Sequence, residues 1–110
     1  MIQLLLAVDL MHRNNIIHRD LKLDNILLMD RESLQVSISD MGLACRADSE
    51  VDVSKKCGSP GYIAPEIFLN QNFTPKADIF SLGTVFYTLL TSRRLFSGRD
   101  GNEVLYNNSK

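Results

Sequence analysis

The chain has 110 residues, 45% hydrophobic and 23% charged, with a formal net charge of −1. That is one domain at most, with enough apolar content to bury a core, and the composition excludes an intrinsically disordered chain. The near-neutral balance lacks the basic excess of a general nucleic-acid binder, and no apolar run approaches the roughly 18 residues of a membrane helix.

Taken in chain order, residues 1–13 predict a helix with Ile2, Leu5, Leu6, Leu10 and Met11 on one face. No basic region precedes this apolar opening and no small-residue cleavage site follows it, so it does not read as a signal peptide. Asn14 or Asn15 supplies a left-handed stop. Polar residues 18–25 then separate two apolar runs. Residues 26–29 predict a strand, residues 30–33 a turn, and Leu34, Val36 and Ile38 alternate as a second strand, giving a small hairpin. Residues 43–60 are polar and aperiodic and read as loop. Ala64-Pro65-Glu66 opens a helix of one or two turns reaching Leu69. Thr74-Pro75 reads as an N-cap followed by proline at the first helical position. The helix beyond it carries Ile79, Phe80, Leu82, Val85, Phe86, Leu89 and Leu90, which cover most of its circumference and predict burial on nearly all sides. Residues 92–101 read as loop, and residues 102–110 as the start of another helix. The fold class expected is α+β, mainly helical, with one short β-hairpin.

Four segments carry the chemistry. The octet His18-Arg19-Asp20-Leu21-Lys22-Leu23-Asp24-Asn25 has the form H-R-D-x-K-x-x-N. Asp40-Met41-Gly42 follows the second strand, 20 residues after Asp20. Next comes Cys57-Gly58-Ser59-Pro60-Gly61-Tyr62-Ile63-Ala64-Pro65-Glu66, and last Asp78-Ile79-Phe80-Ser81-Leu82-Gly83, an acid on an otherwise apolar helix. Singly, each has a plain structural reading: Asp and Asn as turn formers, Gly and Pro as loop residues, Asp78 as an acid favoured by the helix dipole.

Together, in this order and spacing, they resemble the catalytic domain of eukaryotic Ser/Thr protein kinases, from the helix before the catalytic loop to the start of the helix after the central buried one. The resemblance covers residues 1–110 as a partial kinase domain. It implies that Asp20 orients the substrate hydroxyl, that Lys22 balances charge on the transferred phosphate, and that Asn25 and Asp40 hold Mg²⁺ bridging the phosphates of ATP. Lys22, Asn25 and Asp40 are thereby the expected cofactor contacts. Ser59 is expected to bond Asp20 and Lys22, with Gly61 and Tyr62 on the shelf beside the phosphoacceptor. Met41 replaces the usual Phe of D-F-G and Phe80 the usual Trp of D-x-W-S-L-G. By the same resemblance His18 packs in an internal spine beneath Met41, and Asp78 accepts from catalytic-loop N–H groups. Glu66 pairs with an arginine that lies beyond this segment. His12 is expected at the surface. Arg19 marks the kinases whose activation loop is ordered by phosphorylation, for which Ser54 and the more distant Ser49 are the candidate acceptors. Lys22 together with Gly58-Ser59-Pro60 favours Ser/Thr over Tyr specificity. The Gly61-Tyr62 pair and the Leu82-Gly83…Tyr87…Leu89-Leu90 pattern look most like the calcium/calmodulin-dependent group.

The 110 residues contain no glycine-rich loop, no strand lysine for the α- and β-phosphates and no glutamate to pair with it. The expectation is therefore a C-lobe fragment with the N-lobe absent, inactive in isolation, with protein Ser/Thr hydroxyls as substrate and ATP bound in the complete domain. The alternative function is a non-catalytic, kinase-derived binding module that competes for substrates or partners. Two cysteines, Cys45 and Cys57, are too few for a disulfide framework and lack metal-ligand spacing, which reads as an intracellular, cytoplasmic chain. No nucleic-acid or membrane partner is expected.

Overall fold

The computed structural model describes residues 2–109. Met1 and Lys110, the outer ends of the first and last expected helices, lie outside the described residues. Helix α1 (Ile2–Arg13) buries Leu4 and Val8, one turn apart, and leaves Ile2, Leu6 and Leu10 exposed, Ile2 at 73%. The expected apolar face is thus the wrong one. The helix is apolar almost all round, so periodicity cannot select its buried side, and packing against the following strands does. Asn15 ends the helix with φ 59°, in the left-handed region that Asn tolerates.

Strand β1 (Ile16–Ile17) leads into the catalytic-loop segment, which closes in a 3₁₀ turn (Leu23–Asn25). Strands β2 (Ile26–Asp30) and β3 (Gln35–Ile38) form the expected antiparallel hairpin, with Ile26 opposite Ile38 and an irregularity between Leu28 and Asp30. Asp30 builds the turn by accepting from Glu32 N and Ser33 Oγ. Leu34, expected in the strand, sits in that turn with φ 56° and an exposed side chain. Gln3 fastens the hairpin to α1, donating to Leu34 O and accepting from Val36 N, both at 3.0 Å.

The segment expected to be unstructured loop contains two short elements. Strand β4 (Cys45–Arg46) pairs antiparallel with β1, and Ala47 N extends the ladder to Asn15 O at 2.7 Å. Helix α2 (Glu50–Val53) is a single turn whose Ser49 N-cap accepts from Asp52 N. A two-residue strand has no alternation to read, and one helical turn has no period, so sequence pattern could find neither.

Helix α3 (Pro65–Phe68) falls where Ala64-Pro65-Glu66 placed it. Helix α4 (Pro75–Thr91) starts after Thr74, whose hydroxyl makes no capping bond, and stops at Ser92 with φ 58°. Its buried side is Ala77, Asp78, Ser81, Leu82, Thr84 and Val85, whereas Ile79, Leu89 and Leu90 face outward, Leu90 at 86% exposed. Burial on nearly all sides is therefore corrected to burial on one face. Helix α5 (Gly101–Ser109) packs on α3.

Two apolar cores result. One gathers Ile17, Cys45, Val53, Ile67, Phe73 and Ala77; the other gathers Leu4, Val8, Leu21 and Leu82. Helix α4 feeds both, through Ala77 and Leu82. The loop between β1 and the 3₁₀ turn has its two ends in different cores, Ile17 in the first and Leu21 in the second, both with no exposed surface. At roughly 1.5–3 kcal/mol for each fully buried aliphatic side chain, these anchors hold the loop at both ends while its polar residues stay uncommitted to packing.

Candidate active site

Between the two anchors the loop is fixed by one carboxylate. Asp78 is 1% exposed on the first turns of α4. Its Oδ2 accepts from His18 N at 2.9 Å and its Oδ1 from Arg19 N at 3.0 Å. A buried carboxylate needs such donors, and a loop main chain that pairs with no strand needs such an acceptor. His12 is the third partner, its Nε2–H donating to Oδ2 at 2.9 Å. The surface placement expected for His12 is corrected: its side chain is 15% exposed and α1 turns it inward, because Asp78 lies beneath the C-terminal end of that helix. Sequence reading had no signal for this pair, whose members stand 66 positions apart.

His18 has no exposed surface and cross-links the loop to the strand end before Asp40. Its Nε2 bonds Ser39 O at 3.0 Å, and its Nδ1 accepts from Asp20 N at 3.1 Å, so the proton sits on Nε2. Ser39 in turn donates through both N and Oγ to Asn25 O, at 2.8 and 3.2 Å. Asp40 is therefore the neighbour of a residue tied to both His18 and Asn25.

The polar side chains of the loop form one connected set. Lys22 Nζ donates to Ser59 Oγ at 3.0 Å, and Ser59 Oγ donates to Asp20 Oδ1 at 2.7 Å. Asn25 Nδ2 donates to Asp20 O at 2.7 Å, with Asp20 Oδ2 a more distant 3.4 Å. The Asn25 amide is thereby oriented with its oxygen free of any hydrogen bond among the described residues. Asp40 adopts φ 58° and accepts from Gly42 N at 3.1 Å through Oδ1, leaving Oδ2 unbonded among the described residues. A Cβ on Gly42 would stand 3.1 Å from that same Oδ1, so the glycine gives the exposed carboxylate its room.

Arg19 is held at φ 68° and uses its guanidinium on main-chain carbonyls of residues 43–55. Nε donates to Leu43 O at 2.6 Å and Nη1 to Asp52 O at 2.7 Å, with Lys55 O at a marginal 3.5 Å, while the ring of Phe73 lies 5.2 Å below the cation. Ser54 is exposed and bonds Val51 O, and Ser49 caps α2. Neither hydroxyl bonds Arg19, whose contacts to this segment are with main-chain carbonyls.

Gly61 is buried with φ 93°, and the neighbouring Tyr62 carbonyl accepts from Ser81 Oγ at 2.7 Å. Glu66 is half-buried and its carboxylate has no ion-pair partner among the described residues; its carbonyl receives Leu69 N and Gln71 N. Sequence reading missed two contributors altogether: Asn108, which bonds the main chain at Gly61 and Ile63, and Phe73 beneath Arg19.

Burial pushes both thiols, Cys45 and Cys57, above the ordinary cysteine range, against the opposing pull of the Arg19 charge. Little thiolate is present at neutral pH, and the thiolate is the reactive species. Iodoacetamide should label the half-buried Cys57 slowly at pH 7.5 and the buried Cys45 more slowly still, the Cys57 rate rising about tenfold per pH unit towards pH 9. A Cys57 rate already level by pH 8, followed by mass spectrometry, would contradict this.

Loop and glycine-preceded serine thus form one bonded set beside a helix-borne carboxylate, to which the hairpin end before Asp40 is tied through Ser39. The chain belongs to the protein kinase family, matching the protein kinase domain over residues 1–110. It is 46% identical over 95 residues to the Ser/Thr kinase polo of Drosophila melanogaster, covering 86% of this chain and 16% of that protein. It is 41% identical over 105 residues to human Ser/Thr kinase ULK1, covering 89% of this chain and 10% of that one. Over 98 residues it is 40% identical to the Ser/Thr kinase nekl-2 of Caenorhabditis elegans, covering 89% and 27%. The chain therefore spans between 10% and 27% of the length of these relatives. Membership implies ATP and Mg²⁺ as the family's cofactors and proteins as its substrates. No described helix is long and apolar enough to cross a membrane.

Proposed function

We propose that this segment is the C-lobe side of a Ser/Thr protein kinase site, with Asp20, Lys22, Asn25 and Asp40 as its working groups. The observation that carries the reading is the bonded series Lys22 Nζ–Ser59 Oγ–Asp20 Oδ1. Ser59 occupies Oδ1 of Asp20, which leaves Oδ2 the freer oxygen to accept a hydrogen bond from a substrate hydroxyl. Lys22 stands two residues along with its ammonium turned toward the same centre, where it offsets charge on a phosphate in transfer. The free amide oxygen of Asn25 and the exposed carboxylate of Asp40 are hard oxygen donors suited to Mg²⁺. Among the described residues no cluster of three or more His, Cys, Asp or Glu exists to cage a metal. Mg²⁺ does not need one, since it is commonly held by one or two side chains, water and the phosphates themselves. When bound, MgATP supplies the electrophilic γ-phosphoryl group and neutralises charge at the leaving oxygen.

Ser59, Gly61 and Tyr62 form the shelf that positions the peptide, and His18, Arg19, Glu66 and Asp78 are structural. Ser54, exposed in this segment, is the candidate phosphorylation acceptor, and Arg19 keeps Nη2 without a bond among the described residues as a donor for an anion. The motif likeness to calcium/calmodulin-dependent kinases rests on two stretches, while the relatives above bear other names, and the proposal stops at the Ser/Thr class.

The test is transfer of labelled γ-phosphate to a Ser-containing peptide, run on the 110-residue chain and on the longest polypeptide its gene encodes. The chain alone should show no appreciable turnover, because it has no glycine-rich loop or strand lysine to grip the nucleotide. The long polypeptide should transfer phosphate. If it binds peptide yet transfers none with MgATP saturating, the binding-module alternative replaces the enzyme.

A further inference from the structure

Asn108 is 3% exposed near the C-terminal end of α5, and every hydrogen bond of its side-chain amide goes to the main chain of the shelf. Oδ1 accepts from Gly61 N and from Ile63 N, each at 3.0 Å, and Nδ2 donates to Ile63 O at 2.9 Å. Three of the four hydrogen-bonding sites of one side-chain amide are therefore committed to two residues, Gly61 and Ile63, in a segment that belongs to no strand or helix. The approach is close. A Cβ on Gly61 would stand 3.3 Å from Val104 Cγ1 and 3.6 Å from Phe96 O, and Gly61 itself sits at φ 93°.

The same helix reaches the other side of the shelf. Leu105 joins Pro60, Ile63, Ile67 and Phe68 around an open apolar groove of about 360 Å³. Pro60 adjoins Ser59, whose hydroxyl bonds Asp20. Ile63 is thus gripped on its main chain by Asn108 and offers its side chain to the groove. Any shift of the 61–63 backbone moves this wall relative to Asp20.

We propose that Asn108 is a positioning residue for the peptide substrate: it fixes residues 61–63 so that Ile63 and Leu105 receive an apolar side chain neighbouring the acceptor Ser or Thr. The inference rests on the kinase reading above. It acts on how the peptide binds and leaves nucleotide binding alone, because Asn108 bonds only Gly61 and Ile63 and makes no direct bond to Asp40 or Asn25.

The experiment compares Asn108→Leu, Asn108→Asp and Gly61→Ala in the longest polypeptide, with two peptides carrying Leu or Asn beside the acceptor Ser. Asn108→Leu removes all three bonds at similar volume. It should raise KM for the Leu peptide about tenfold, the equivalent of about one net hydrogen bond, and erase the preference for Leu over Asn, with KM for ATP unchanged. Asn108→Asp keeps both accepted bonds and should restore most of the preference. Gly61→Ala pushes the shelf off Val104 with Asn108 intact and should mimic Asn108→Leu, which keeps the proposal testable if the latter does not fold. A fall in kcat or in melting temperature with the Leu/Asn preference intact, in both Asn108→Leu and Gly61→Ala, overturns it. If the wild-type polypeptide transfers no phosphate, the kinase reading has failed separately. Fluorescence anisotropy of the two labelled peptides then decides the clamp, an unaltered preference in the variants again overturning it.

Discussion

An Asp20→Asn variant is expected to lose between about 100-fold and 10,000-fold in kcat, the range for removing a positioned general base, while keeping its fold. The amide still offers one oxygen to Ser59 Oγ, and Ser59 still receives Lys22 Nζ, so the connected set survives in shape. Asp20 belongs to neither core and is half-buried at the mouth of the loop. What disappears is the negative charge on which the proposed role of Asp20, orienting a substrate hydroxyl, depends. KM for peptide and for ATP should move little, since the loss falls on the transition state and not on ground-state binding. The comparison is made in the longest polypeptide, with melting temperature followed by circular dichroism. Retention of more than a tenth of the activity in a folded variant would remove Asp20 from the proposed role and leave Lys22 and Ser59 without a reason to converge on it.

Much of the site was readable because its residues are close in sequence. Asp20, Lys22 and Asn25 lie within one turn-rich octet, so their spacing survives whatever the rest of the chain does. The hairpin is readable because a short apolar run at 26–29 and an alternating stretch at 34–38 flank a turn that Asp30 and Ser33 build locally. The same logic explains the failures. Leu34 alternates with Val36 and Ile38, yet the turn takes it at a left-handed φ, since the Asp30 turn extends one residue further than periodicity suggests. The buried face of α1 and the one-sided burial of α4 are choices among equally apolar faces, made by neighbours distant in sequence. Strand β4 exists only because β1 is there to pair with it.

The residues that organise the site without doing chemistry were the least visible. Asn108 and His12 are single polar side chains on helices, with no spacing relation to the motifs they support. Their partners stand 45 and 66 positions away. Arg19 has contacts that its place beside Asp20 does not reveal: Nε and Nη1 donate to the carbonyls of Leu43 and Asp52, and its face lies on Phe73. Main-chain carbonyls carry no sequence signature, so these bonds have no counterpart in the motif.

That arrangement makes Asp78 the residue on which both halves of the loop depend, and its replacement the largest expected stability loss in the chain. Arg19 holds a left-handed backbone that a side chain of its size normally avoids, at a cost of about 1–3 kcal/mol. The two carboxylate bonds to His18 N and Arg19 N fix the peptide that carries this strain. In Asp78→Ala the buried His18 N–H, the part-buried Arg19 N–H and His12 lose their acceptor together, which should cost about 3–5 kcal/mol. For a domain of this size that lowers the melting temperature by about 15 °C or more. Asp78→Asn keeps one acceptor oxygen but turns its NH₂ toward a donor, and should fall between alanine and wild type. His12→Ala removes a single partner and should be the mildest of the three. Once released, Arg19 can relax its backbone and withdraw its guanidinium from Leu43 and Asp52. Residues 43–55 should therefore loosen in Asp78→Ala although none of them touches Asp78. Hydrogen exchange reads this directly: the His18 and Arg19 amides should lose protection first, with the Ala47 and Phe73 amides following. Protection at Ala47 and Phe73 equal to wild type, in a variant whose His18 amide exchanges freely, would break the link between the buried carboxylate and the ordered segment.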